Sequence, residues 1–239
     1  MGVRILLLSY FRVENFKHLQ QMRRAMTEYS LKAKLTAEFI GTFFLSLTVC
    51  TAAVHGLAGG YAPFAIASVL MVMIYATGYV SGAHFNPAVT LAVWFRGACQ
   101  REIVIPYVIV QLIAGVVGSI VSEGLLITDA SPTELFVETT PAFFSELLFT
   151  FALVFVILNV ATSDATSGNG YYGAAIALVV LAGALSVGGI SGGSFNPAVT
   201  GALVTAGALG IDDIWIHIVA QIIGSVSAVY AFKILSQQI

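Results

Sequence analysis

Apolar residues run along this chain in long, nearly uninterrupted stretches. Six of them, at about 35–57, 62–80, 103–127, 141–161, 171–190 and 214–235, reach the length of about 20 residues that one helix needs to cross a bilayer. Turn or charged segments part them, among them Gly59-Gly60, Asp129-Ala-Ser-Pro132, Ser163-Asp-Ala-Thr-Ser-Gly168 and Asp212-Asp213. The runs do not alternate over about ten residues as outer-membrane strands do. Two further apolar stretches are shorter. One follows Pro87 and ends at Phe95-Arg96-Gly97, and the other follows Pro197 and ends near Ala206-Gly207. At about 1.5 Å per residue each makes a helix of roughly 15 Å, half the hydrocarbon thickness. Asn-Pro opens both, and that pair starts helices: Asn caps, and Pro fits the first position because its missing N–H would be unpaired there. The pattern predicts an all-α membrane protein of six transmembrane helices plus two re-entrant half-helices.

The chain is also a repeat. Ser81-Gly-Ala-His-Phe-Asn-Pro-Ala-Val-Thr90 returns as Ser191-Gly-Gly-Ser-Phe-Asn-Pro-Ala-Val-Thr200, eight of ten positions identical at an offset of 110. Gln111 and Gln221 share that offset, while Glu38 and Thr42 match Glu146 and Thr150 at 108. Repeat one covers about 34–127 and repeat two about 141–236, each with three spans and one half-helix. Three is odd, so the second unit enters the membrane from the opposite side, and the repeats are inverted about an axis in the membrane plane. The half-helices then enter from opposite faces and meet near the midplane. Broken backbone at that depth is tolerated inside protein or along a wet cavity.

Charge sets the orientation and closes off other classes. Ten Lys+Arg and twelve Asp+Glu serve 239 residues, with a mean hydropathy of +0.93. Seven of the ten bases fall within the first 34 positions, and Arg96, Arg101 and Lys233 complete the set. All ten lie on one side if the chain starts inside, so both termini are expected in the cytoplasm. Residues 1–33 form a basic N-terminal segment ahead of a channel domain at 34–239. That segment reads as a basic tail, with an interfacial helix on anionic lipid as the alternative. Leu6 stands where a myristoylation signal needs Ser or Thr. The charge balance argues against nucleic acid as a partner. Cys50 and Cys99 make neither a disulfide framework nor a metal site, and no phosphate loop, nucleophile–base pair or cofactor motif is visible. The reading is a membrane protein, not an enzyme, that needs no cofactor.

Two helix N-termini aimed at one point concentrate about half a positive charge each. Such a point opposes cations and protons moving along a file of water. Asn86 and Asn196 can cap with their oxygens and turn their NH₂ donors to the passing molecule, so that a water accepting both points its hydrogens away. Intramembrane acids are few: Glu38, Glu146 and, near a span's end, Glu123. A coupled carrier would carry more acids, with partners. The matched Glu38 and Glu146 read as acceptors for backbone N–H groups of the re-entrant loops. Glu123, without a repeat partner, reads as a surface group at the outer edge. Gly115, Gly118 and Gly224 read as close-packing positions, and the Ser and Thr residues of 163–170 as ordinary turn residues.

Over residues 34–236 the chain resembles the aquaporins, the major intrinsic proteins. The resemblance rests on Asn86-Pro87-Ala88, Asn196-Pro197-Ala198, Ser81-Gly82 with His84, the paired glutamates and the pseudo-repeat. It implies one pore per subunit, a homotetramer, and His84 either lining the cytoplasmic half of the pore or satisfied within its loop. It also implies a four-residue outer constriction ending in an Arg three positions after the second Asn. Val199 stands there instead. Gly193 is placed by the motif, and Ile66 and Ala184 by ungapped counting. The Val resembles one branch of the plant tonoplast members, although Ile66 stands where those tend to carry His. Glycerol facilitators keep the Arg and usually follow it with Asp, whereas this chain has Val199-Thr200. An Ile/Ala/Gly/Val ring is small, apolar and uncharged. It predicts a passive channel with a tolerant mouth for water and small neutral solutes such as glycerol, urea, ammonia or hydrogen peroxide. The alternatives are a strictly water-selective channel and a poorly conducting structural membrane protein.

Overall fold

A computed structural model describes residues 29–129, 132 and 134–236. The reading of the basic N-terminal segment lies almost wholly outside these residues. Among them the chain is helical, with six helices long and apolar enough to span a membrane. The first, α1 (Leu31–Thr48), begins where the Ser30 hydroxyl accepts from Ala33 N at 3.2 Å, and continues through a wider turn of π type, Val49–Val54. Helix α2 (Ala62–Ser81) follows a short 3₁₀ turn. Helix α4 (Arg101–Val121) also runs into a π turn, Ser122–Leu126. Helices α5 (Thr139–Ala161), α6 (Tyr172–Ser191) and α8 (Ile214–Leu235) complete the set. With the π turns included, the expected and observed limits agree within about four residues; α1 begins earlier than its apolar run, at the Ser30 cap, and α8 matches at both ends.

Between the spans lie the half-helices, α3 (Pro87–Arg96) and α7 (Pro197–Thr205). Each is preceded by a span that stops on a left-handed glycine, Gly82 at φ 89° and Gly192 at φ 81°. A side chain there would strain the backbone, so glycine is what lets the chain turn back into the membrane.

The inverted repeat appears in the packing. Helix α1 lies on α4 and α5 on α8, while α2 meets α6 across the two repeats. Each half-helix leans on the third span of the other repeat, α7 on α4 and α3 on α8. Gly115 brings α4 against α7 so closely that a Cβ would stand 2.4 Å from the Ala198 carbonyl oxygen. At the matched position in α8, the Ser225 hydroxyl donates to the Ala88 carbonyl at 2.8 Å. Gly118 and Gly224 likewise admit the backbone of Phe43 and Leu147. Without a hydrophobic force between helices in lipid, this close approach of backbones supplies the packing.

Candidate functional site

The two half-helices begin back to back. Asn86 Oδ1 accepts from Ala88 N at 2.8 Å and Val89 N at 3.4 Å, and Asn196 Oδ1 accepts from Ala198 N at 2.9 Å. These bonds satisfy amides at the start of each helix that have no intrahelical partner. The amide nitrogens cross over: Asn86 Nδ2 donates to the Phe195 carbonyl at 2.9 Å and Asn196 Nδ2 to the Phe85 carbonyl at 2.8 Å. One hydrogen of each NH₂ is therefore spent joining the repeats, and one remains for the cavity.

Behind each loop stands a buried carboxylate. Glu38 accepts from the Ser81 hydroxyl (2.6 Å), His84 N (3.0 Å), Phe85 N (2.7 Å) and Gln111 Nε2 (2.8 Å). Glu146 accepts from the Ser191 hydroxyl (2.8 Å), Ser194 N (3.0 Å), the Ser194 hydroxyl (3.1 Å), Phe195 N (2.8 Å) and Gln221 Nε2 (2.8 Å). All contacts are donors, and an acceptor-only carboxylate meets every one. The bonds also hold strained backbone, since Phe85 and Phe195 sit at φ 48° and 46°. Such a conformation costs of order 1–2 kcal/mol in a residue other than glycine. The Phe85 and Phe195 rings are buried in the apolar core.

A cavity of about 730 Å³ runs past this point, lined from Ala62 and Ile66 at one end of α2 to Tyr79 and Gly82 at the other. Ile66, Ala184, Gly193 and Val199 all border it, as do His84, Asn86 and Asn196. Glu38 and Glu146 do not, and neither is exposed at all. The cavity therefore gathers the four counted ring positions on one passage. His84 borders the cavity, and its ring is held by a side chain of the half-helix and not by loop backbone, with Nδ1 3.1 Å from the Thr90 hydroxyl.

Several contributors escaped the sequence reading. Tyr107 donates its hydroxyl to the Ser81 carbonyl at 2.9 Å, and at the same offset of 110 His217 Nε2 reaches the Ser191 carbonyl at 2.7 Å. Their chemistry differs, so only the spacing could have revealed the match. Thr90 and Thr200 close the same rings of hydrogen bonds through Gln111 and Gln221. Leu135, from the segment joining the repeats, borders the cavity, where its N–H donates to the Ala208 carbonyl at 2.9 Å. Glu123, read as a surface group, has a partner in the fold. Its side chain is 26% exposed and pairs with His55 at 2.6 Å.

Six spans in inverted repeats, with two capped half-helices meeting on a through-going cavity, define a membrane channel. The model of the major intrinsic protein family matches residues 26–186 and 143–239, and the chain belongs to that family. It is 34% identical over 220 residues to Aquaporin NIP1-2 of Arabidopsis thaliana, covering 84% of this chain and 74% of that one. Glycerol uptake facilitator protein-like 6 of Lactiplantibacillus plantarum is 34% identical over 218 residues, 86% of this chain and 99% of its own length. The aquaglyceroporin of Plasmodium falciparum superposes with a TM-score of 0.72 at 25% identity, over 87% of this chain and 98% of that structure. Members of the family are channels for water and small solutes, not enzymes, and this chain is an integral multi-pass membrane protein of that kind.

Proposed function

We propose that the chain conducts water together with small neutral solutes of the size of glycerol, urea, ammonia and hydrogen peroxide, passively and in both directions, while excluding ions and protons. The observation that carries this reading is the makeup of the cavity where Ile66, Ala184, Gly193 and Val199 border it: none of the four is aromatic or charged. A solute larger than water meets no bulky ring and no cation at these positions. The half-helix N-termini, back to back at Asn86 and Asn196, supply the positive field against cations and protons. In this reading the two remaining NH₂ hydrogens orient the passing oxygen, the ring of four sets the size limit, and Glu38 and Glu146 hold the loops that carry the asparagines. We further take the channel to be a homotetramer with both termini in the cytoplasm, in keeping with the distribution of Lys and Arg.

Purified protein in liposomes tests this by light scattering after a sucrose step and then a glycerol step. Water and glycerol both moving far faster than in empty liposomes is the expected result. Acceleration of water alone would show a strictly water-selective channel. Acceleration of neither would show a structural membrane protein.

A further inference from the structure

Two π turns occur among the described residues, and both lie at the same end of adjacent spans. In one, His55 N donates to the Cys50 carbonyl at 2.9 Å, and in the other Ile127 N donates to the Ser122 carbonyl at 2.9 Å. Such turns are rare and concentrate where function calls for a widened helix. A side-chain bond joins these two: His55 Nε2 and Glu123 Oε1 stand 2.6 Å apart, with the His55 side chain only 1% exposed. Nothing in the repeat calls for this pair, because the matched positions hold Ser163 and Lys233.

The first turn is part of the channel wall. Val49, Ala53 and Val54 line the cavity, and Val54 and Cys50 pack on Ala202 of α7, the half-helix that carries Val199, and on Ala206 at its C-cap. Helix α4 already supports α7 through Gly115, so it is the fixed base against which the end of α1 is drawn. Cys50 is the other titratable group facing Glu123 here. Helix α7 and the adjoining end of α2 present no titratable side chain, Tyr61 being exposed.

We propose that His55 and Glu123 are positioning residues, a buried clasp that holds the wall formed by the Val49–Val54 turn and thereby sets the size limit of the mouth bordered by Ile66 and Val199. This rests on the channel reading above. Untied, the turn moves more freely and the mouth widens on average. Glycerol gains more than water, because water already fits.

Three proteins in liposomes test it: the wild type, Glu123→Ala and Glu123→Gln. Gln keeps an acceptor for the His55 N–H. Glu123→Ala should raise the glycerol-to-water permeability ratio by about threefold and speed amide exchange over residues 55–58 about tenfold, as the loss of one charge-assisted bond would. Glu123→Gln should match the wild type in both at neutral pH. Unchanged exchange in Glu123→Ala overturns the clasp, and faster exchange with an unchanged ratio overturns its hold on the mouth. A wild type that conducts neither solute counts against the channel reading instead, and amide exchange alone then decides the pairing.

Discussion

The two re-entrant loops share a scaffold and differ in what they add to it. Each uses a buried glutamate, a serine at the end of the preceding span, two consecutive loop amides, a glutamine and a threonine. In the first loop the residue between scaffold and cavity is His84, which borders the passage and contacts the Tyr107 ring edge to face, centroids 5.3 Å apart. In the second it is Ser194, which turns its hydroxyl back onto Glu146 and Thr200. The phenylalanines are accommodated differently too. Gly41 leaves space for Phe85, whose ring would stand 2.1 Å from an added Cβ, whereas the matched Phe149 stacks on Phe195 and Gly183 yields the space instead. The difference separates two requirements. Holding a strained loop against a helix N-terminus needs a fixed set of donors around one carboxylate, and that set recurs. Facing the solute does not, and there the halves diverge.

Removing the carboxylates has the largest expected effect. Glu146→Ala removes the acceptor of five buried hydrogen bonds and Glu38→Ala that of four, and each change should cost about 3–5 kcal/mol, the range for stripping one partner from a buried charged network. Thermal unfolding in detergent should rank Glu146→Ala below Glu38→Ala, with both far below the wild type. Equal stability of either variant with the wild type would show that the loops hold themselves.

Next comes the matched pair Val89 and Val199, each three positions after its asparagine and each bordering the cavity. Val199→Arg breaks their equivalence by placing a long cation in the proposed ring. Glycerol flux should fall about tenfold, corresponding to roughly 1.4 kcal/mol of added barrier, and water flux by clearly less. Equal losses for both would place the size limit elsewhere.

What was legible in the sequence followed from the same symmetry. The spans, the half-helices and the acceptor geometry of Glu38 and Glu146 could be read because length, capping residues and a repeated motif each leave a local signature. The link between Tyr107 and His217 left only a spacing, since a phenol and an imidazole perform one task with unlike atoms. The His55–Glu123 bond left no signature at all. It joins residues 68 apart through two π turns, and nothing in the apolar pattern distinguishes a π turn from an α turn. Glu123 read alone therefore looked like a surface charge.

Making the halves more alike at the divergent position should cost little. His84→Ser copies the second loop, where a serine satisfies its threonine at 2.9 Å. The stability change should stay within about 1 kcal/mol, the net worth of one ordinary hydrogen bond. Thermal unfolding checks this, and a loss comparable to Glu38→Ala would show that His84 belongs to the scaffold rather than to the solute-facing set.

The smallest expected effect is that of mercury on the unaltered channel. Cys50 is wholly buried, and Cys99 sits in the turn between α3 and α4, where burial first and nearby carboxylates second push its thiol up to about 11. The thiolate is the reactive form, so Cys99 should stay nearly inert at neutral pH and gain reactivity only as pH climbs toward that value. Neither cysteine borders the cavity. Gly193 is a poor site for an added thiol, because its φ of 58° disfavours any side chain and a Cβ would stand 3.3 Å from Gly188. Val199 carries no such strain, so Val199→Cys is the better probe. Mercuric chloride should leave wild-type water flux nearly unchanged and inhibit Val199→Cys. Because the modified thiolate would stand on the proposed ring, that inhibition should weigh on glycerol before water, and strong block of the wild type would mean that Cys50 or Cys99 opens to the passage during conduction.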